Sequence, residues 1–115
     1  MSEFDIQLGF RKELRYVAPA VSVVAIPNAA RRTEWEVRRA KREGLATGFP
    51  DIMALWAGGL CFIEFKTAKG RVSDNQRDWH ERLTRMGHAC TVARSIDDAL
   101  AFLRQCGAPF LGAPA

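Results

Sequence analysis

Three side chains in the segment GFPDIMALWAGGLCFIEFK, residues 48–66, could do chemistry together: Asp51, Glu64 and Lys66. They interrupt two apolar runs joined by Gly58-Gly59, a pair that signals a two-residue hairpin loop. With those glycines as the loop, Ala57 pairs with Leu60, Met53 with Glu64 and Asp51 with Lys66. Directly opposite residues share a face of a hairpin, and so do i and i+2 along one strand. All three charges then project from one face, at the end away from the turn. The Asp51–Glu64 pair is diagonal, with backbones about 7–8 Å apart. A slip of one residue would scatter the cluster.

Two carboxylates about 5 Å apart repel by about 3 kcal/mol at an effective dielectric of ~20. Lys66 offsets part of that, and a divalent cation offsets more. Mg²⁺ takes oxygen ligands and prefers one or two carboxylates plus water and phosphate. Two acids and a lysine therefore point to a metal, a phosphate and an activated water. The plainer alternative is a Glu–Lys pair on a solvated hairpin. Met53 and Phe62, on the same face, argue against it, because a solvated face is more often polar throughout.

The elements that must position these residues follow from periodicity and punctuation. Residues 2–16 read as a helix capped by Ser2, with Phe4, Leu8 and Leu14 on its apolar face. Residues 20–26 read as a strand stopped by Pro27-Asn28. Residues 33–43 read as a helix opened by the Thr33/Glu36 capping box and stopped by Gly44. After the hairpin, Ser73 and Gln76 form a second capping box. It opens a helix with Trp79, Leu83 and Met86 as its buried stripe, closed by Gly87. Residues 88–94 are a strand, and Ser95 with Asp98 caps a last helix bearing Leu100 and Leu103. The order α-β-α-β-β-α-β-α makes an α/β fold, a small mixed sheet with helices on both faces. Residues 1–107 form one domain. The tail 108–115 lacks periodicity and reads as a mobile or partner-contacting arm, with Phe110 and Leu111 exposed.

The chain has 115 residues, 48% apolar and 26% charged, the composition of a globular domain. No apolar run approaches the ~20 residues of a membrane span, and no secretory leader is legible. Cys61, Cys90 and Cys106 show no zinc spacing and no complete disulfide framework, so they read as buried thiols in a reducing cytoplasm. The net charge is +4, and the stretch from Arg31 to Arg42 alone holds six basic and two acidic residues. Arg31, Arg32, Arg38, Arg39, Lys41 and Arg42 are either a solvated helix face or a phosphate-facing surface. Lys69 and Arg71, just past Lys66, join them as candidate phosphate contacts. His80 and His88 have no metal-spaced partner and read as surface and strand-edge residues. Trp35, Trp56 and Trp79 read as core rather than as base-stacking platforms.

Pro50-Asp51 followed by Glu64-x-Lys66 resembles the motif of the PD-(D/E)xK nuclease superfamily. The wider pattern resembles a narrower family, the VRR-NUC domains. It comprises Ile26-Pro27-Asn28, Gly48, Pro50-Asp51, Glu64, Lys66-Thr67, Gly70, Ser73, Gln76, Trp79, Leu83 and Gly87. The resemblance implies a restriction-endonuclease-like fold and Mg²⁺- or Mn²⁺-dependent cleavage of DNA. Asp51, Glu64 and the main-chain carbonyl of Phe65 would ligate the metal. Lys66 would orient or deprotonate the attacking water. A first-helix glutamate is also implied: Glu3, in an E-x-x-x-Q arrangement with Gln7, or Glu13. Gln76 would lie beside the lysine, although its capping box alone accounts for it. Stand-alone, phage-type members imply a homodimer that resolves four-way junctions in a bacterial cytoplasm. A nickase on duplex or flap DNA, or a non-catalytic DNA-binding module on the same fold, are the alternatives.

Overall fold

The computed structural model describes residues 1–28 and 33–112. Arg31 and Arg32 lie outside the described residues. The elements are α1 (Glu3–Val17), β1 (Ser22–Ala25), α2 (Glu34–Arg42), β2 (Ile52–Trp56), β3 (Gly59–Phe65), α3 (Asp74–Arg85), β4 (Ala89–Ala93) and α4 (Ile96–Gln105), in the expected order. The four strands lie side by side as β1-β2-β3-β4. The first two pairings are antiparallel, and β3 pairs with β4 in parallel through the α3 crossover. The fold is thus the mixed α/β sheet with flanking helices that the element order implies.

The hairpin turns one residue earlier than Gly58-Gly59 suggests. Trp56 pairs with Gly59, so Ala57 and Gly58 form the loop. Gly58, at φ +88°, supplies the left-handed position. Gly59 serves a different need: a Cβ there would lie 2.6 Å from the Trp56 indole, which folds over it. Moving the turn by one residue moves the register by two. Side-chain parity is therefore kept, and the three charges stay on one face. The ladder from Ile52↔Ile63, extended by one step, sets Asp51 across from Glu64 rather than Lys66.

The two sheet faces differ. One carries Ile52, Ala54, Cys61, Ile63, Phe65 and Ala93 into the main core, covered by α1 and α4. The other carries Phe62 and Glu64, and α3 covers it beside β4. Phe49 links this second layer, with ring centroids 5.5 Å from Phe62 and 4.9 Å from Trp79. The edge strand β1 stays mostly exposed, so the sheet is not closed on both faces throughout.

Several packing expectations change. On α1 the buried residues are Ile6, Phe10 and Leu14, while Phe4 and Leu8 face outward. Gly9 helps choose that face, because Ile96 of α4 lies where a Cβ would be. Leu83 is buried on α3 as expected, but Met86, past its last turn, is exposed. Trp35 is exposed on α2, whose single buried residue is Ala40. Phe110 is not a free arm residue. It is buried in the core cluster under the Arg104 guanidinium, and the Leu111 N–H donates to the Val17 carbonyl at 2.8 Å. Leu111 itself is exposed.

Candidate active site

Glu64 is the least ordinary residue in the sheet: a carboxylate only 1% exposed in the middle of a four-stranded sheet. Its Oε1 is buried without a hydrogen-bond partner among the described residues. Burial, reinforced by the neighbouring Asp51 carboxylate, pushes its pKa up to about 9; Lys66 pulls the other way and Glu3 adds slightly to the rise. A buried acceptor left without a donor is costly, so such an atom calls for an explanation.

Asp51 enters from the loop before β2 and is half-buried. Its Oδ2 accepts the Phe65 N–H at 2.8 Å, which ties the carboxylate to the neighbouring strand. The N–H and C=O of an extended residue project to the same side of the strand. The Phe65 carbonyl therefore faces the Asp51 side as well. Lys66 is also buried, 9% exposed, and its own N–H donates to the Ala93 carbonyl at 3.0 Å. The clustering expected from the sequence is thus present: Asp51, Glu64 and Lys66 come together at one end of the sheet.

The approach of α3 is fixed by Gly48. At φ +87° it packs so tightly that a Cβ would lie 2.6 Å from the Asn75 backbone carbon and 2.7 Å from the Gln76 nitrogen. This contact locks the Asp51 loop onto the first turn of α3. Gln76 completes the expected capping box: its N–H donates to Ser73 Oγ, and its Oε1 accepts the Ser73 N–H at 2.9 Å. Its side-chain oxygen is therefore engaged in capping.

Sequence reasoning missed His80. One turn on from Gln76, it is half-buried, and its Nε2 has no hydrogen-bond partner among the described residues. Burial lowers its pKa, and the Asp51 charge opposes that shift, which places the ring within reach of the Asp51 field. The i, i+4 spacing of Gln76 and His80 was the available signal. Arg94 was missed too. Its Nη1 donates to the carbonyls of Thr67 at 2.8 Å, Ala68 at 3.3 Å and Gly70 at 2.8 Å, clamping the loop that carries Lys69 and Arg71. Both of those cations are exposed.

The two first-helix acids are separated by their surroundings. Glu3 is half-buried, and its charge acts on Glu64. Glu13 is exposed and lines a cavity of about 490 Å³ between α1 and the start of α4, with Arg94 and Ile96. On α2, Arg38 pairs with Glu34 at 3.5 Å and Arg39 with Glu43 at 3.2 Å, all four exposed, as the solvated-face reading expects. Lys41 and Arg42 are exposed on the same helix.

No three His, Cys, Asp or Glu side chains among the described residues converge as a metal cluster. The donors present are two adjacent carboxylates and a carbonyl. That set suits Mg²⁺ or Mn²⁺, which complete their shells with water and phosphate oxygens, and it does not suit zinc. The orphaned Glu64 Oε1 is the atom a cation would satisfy, so the residues fit the group. All three cysteines are free; burial raises Cys61 and Cys90 to about 12, leaving them protonated and unreactive.

Among known proteins, the family model for the VRR-NUC domain matches residues 11–97. The match starts beyond Glu3. A solved structure described as a VRR_NUC domain protein superposes with a TM-score of 0.72 at 19% identity, over 92% of this chain and 88% of that one. At that identity the likeness shows the fold. No curated protein matches. Among the described residues, no helix is long and apolar enough to cross a membrane.

Proposed function

Because the chain belongs to the VRR-NUC family of nuclease domains, we propose that it is a metal-dependent DNA endonuclease, acting on branched DNA as a homodimer. One observation carries the reading. Glu64 is buried beside Asp51 with an unpartnered oxygen, and Lys66 follows two residues later on the same face. A fold does not keep a buried carboxyl group with an unpartnered oxygen beside a second carboxylate for stability.

Asp51, Glu64 and the Phe65 carbonyl would hold Mg²⁺ or Mn²⁺, which when bound supplies Lewis-acid activation of water and neutralises charge on the phosphate. The chain's own residues do the rest. The Phe65 N–H holds the Asp51 carboxylate in one rotamer. The aromatic wall of Phe49, Phe62 and Trp79 keeps the second layer apolar, which strengthens the field of Lys66 on a phosphate oxygen. The Lys66 ammonium orients the attacking water and stabilises the charge growing on the phosphorus oxygens. Glu3 adds a carboxylate at the rim. Lys69 and Arg71, on the loop that Arg94 clamps, contact flanking phosphates.

Each domain carries one such cluster, and a four-way junction needs two nicks on opposed strands, so two copies related by a two-fold axis suit it. The experiment is cleavage of end-labelled four-way junction, linear duplex, flap and single strand, with Mg²⁺, Mn²⁺ or chelator. Preferential, symmetric cutting of the junction supports the full reading. Equal cutting of duplex and flap reduces it to a structure-tolerant nickase. No cutting of any substrate with either metal overturns it.

A further inference from the structure

Trp35 is in the first turn of α2 and 56% exposed. A lone exposed apolar residue is ordinary. This one has unusual company. Among the described residues, Trp35, Arg38, Lys41 and Arg42 lie together on one open face of α2: one indole and three cations. The Arg39 guanidinium stands 5.6 Å from the Trp35 ring centroid. Arg38 reaches Glu34 at 3.5 Å, an exposed i, i+4 contact that a phosphate can displace at little cost.

The place of α2 in the chain matters equally. It lies on an excursion that leaves and returns at the active end of the sheet. The Ile26 N–H donates to the Asp51 carbonyl at 2.8 Å, and the Asn28 amide to the Phe49 carbonyl at 3.5 Å. On the return side, Gly48 is pressed against α3. The excursion is thus pinned on both sides next to Asp51. Nine residues make α2 about 14 Å long, the rise of about four nucleotides in a duplex strand.

We propose that Trp35 is a base-stacking residue for an unpaired nucleotide of the DNA bound at Asp51, Glu64 and Lys66, with Arg38, Lys41 and Arg42 holding the adjoining phosphates. This rests on the DNA-cleaving reading above and names its substrate feature. Single-strand binders combine a basic groove with aromatic side chains, because every base offers a π-face. A paired, stacked base hides that face. This face of α2 therefore selects DNA with an open base: a branch point, a gap or a frayed end. Linear duplex engages only the cations.

The test uses the full chain in chelator, so that nothing is cut. Anisotropy gives the affinity for a labelled oligothymidine and for a blunt duplex of equal length, and tryptophan emission is followed in parallel. Trp35→Ala should weaken oligothymidine binding by roughly 5- to 100-fold, with duplex affinity changed less than about twofold. Trp35→Phe should keep most of the single-strand affinity but lose most of the emission change on binding. Unchanged single-strand affinity in Trp35→Ala overturns the proposal, as does an equal loss on both DNAs. Cleavage of four-way junction, flap, duplex and single strand in Mg²⁺ or Mn²⁺ is assayed separately. Failure of the wild type on all of them removes the nuclease reading, while the chelator titrations still decide Trp35.

Discussion

Glu64 sets the behaviour of the site at the scale of single residues. Its pKa in the folded, metal-free chain is raised from 4.5 to about 9. The folded state therefore holds a proton that the unfolded state releases between those values, and stability falls as pH rises through that window. The contribution is fully present below pH 4.5 and lost by about 9. In chelator, wild-type Tm should drop across this range relative to Glu64→Gln, which carries no such proton. A constant Tm difference between the two from pH 5 to 9 would contradict the burial argument. Lys66 is tested differently. Lys66→Ala should lose cleavage by roughly 100-fold or more, while calorimetric Mn²⁺ binding is kept, since an ammonium is not a ligand. Lost Mn²⁺ binding in this variant would count against its assigned role. These three residues were legible in the sequence because strand parity has period two and survives a two-residue register error. His80 was less so: its i, i+4 spacing from Gln76 puts both on one face of α3, but which way that face turns depends on how α3 sits against the Asp51 loop.

At the scale of elements, the glycines show which contacts hold the site in shape. Gly48 and Gly58 both have positive φ, but only Gly48 is crowded. Gly58→Ala should cost about 1 kcal/mol, the backbone strain alone. Gly48→Ala adds a clash with the α3 backbone and should cost about 2–4 kcal/mol, with lower cleavage at temperatures where the variant is still folded. Denaturant melts of the two variants check this, and equal losses would mean that the Gly48 contact is not tight. Caps and stops were readable from sequence: Ser2, Thr33, Ser73 and Ser95 all cap as their spacing suggests. Which face of a helix turns inward was less so. On α1, Phe4 and Leu8 compete with Ile6 and Phe10, and the choice is made by the sheet and by α4 lying against Gly9.

At the scale of the whole molecule, the chain is elongated, 50 × 32 × 21 Å. Its radius of gyration of 14.7 Å compares with about 13 Å for a compact chain of this length. Met1, Phe4 and Leu8 stand exposed at the start of α1, on the helix that also carries Glu3. A homodimer formed there would bury them and bring two sites to one side. Phe110 no longer belongs to that surface, because long-range packing against α1 and α4 claimed a tail that shows no periodicity. Light scattering at micromolar concentration should give twice the 12.8 kDa chain mass, and Phe4→Glu should return it to one. A monomer mass for wild type, with and without junction DNA, would contradict the dimer.

The most direct measurement compares wild type, Asp51→Asn and Glu64→Gln, purified side by side, on one labelled four-way junction in Mg²⁺. Cleavage is read in Mg²⁺, and binding in parallel tubes with chelator, where nothing is cut. The account predicts cutting by wild type alone, abolished by chelator, with junction affinity in both variants within a few-fold of wild type. Undiminished cutting by both variants would contradict it.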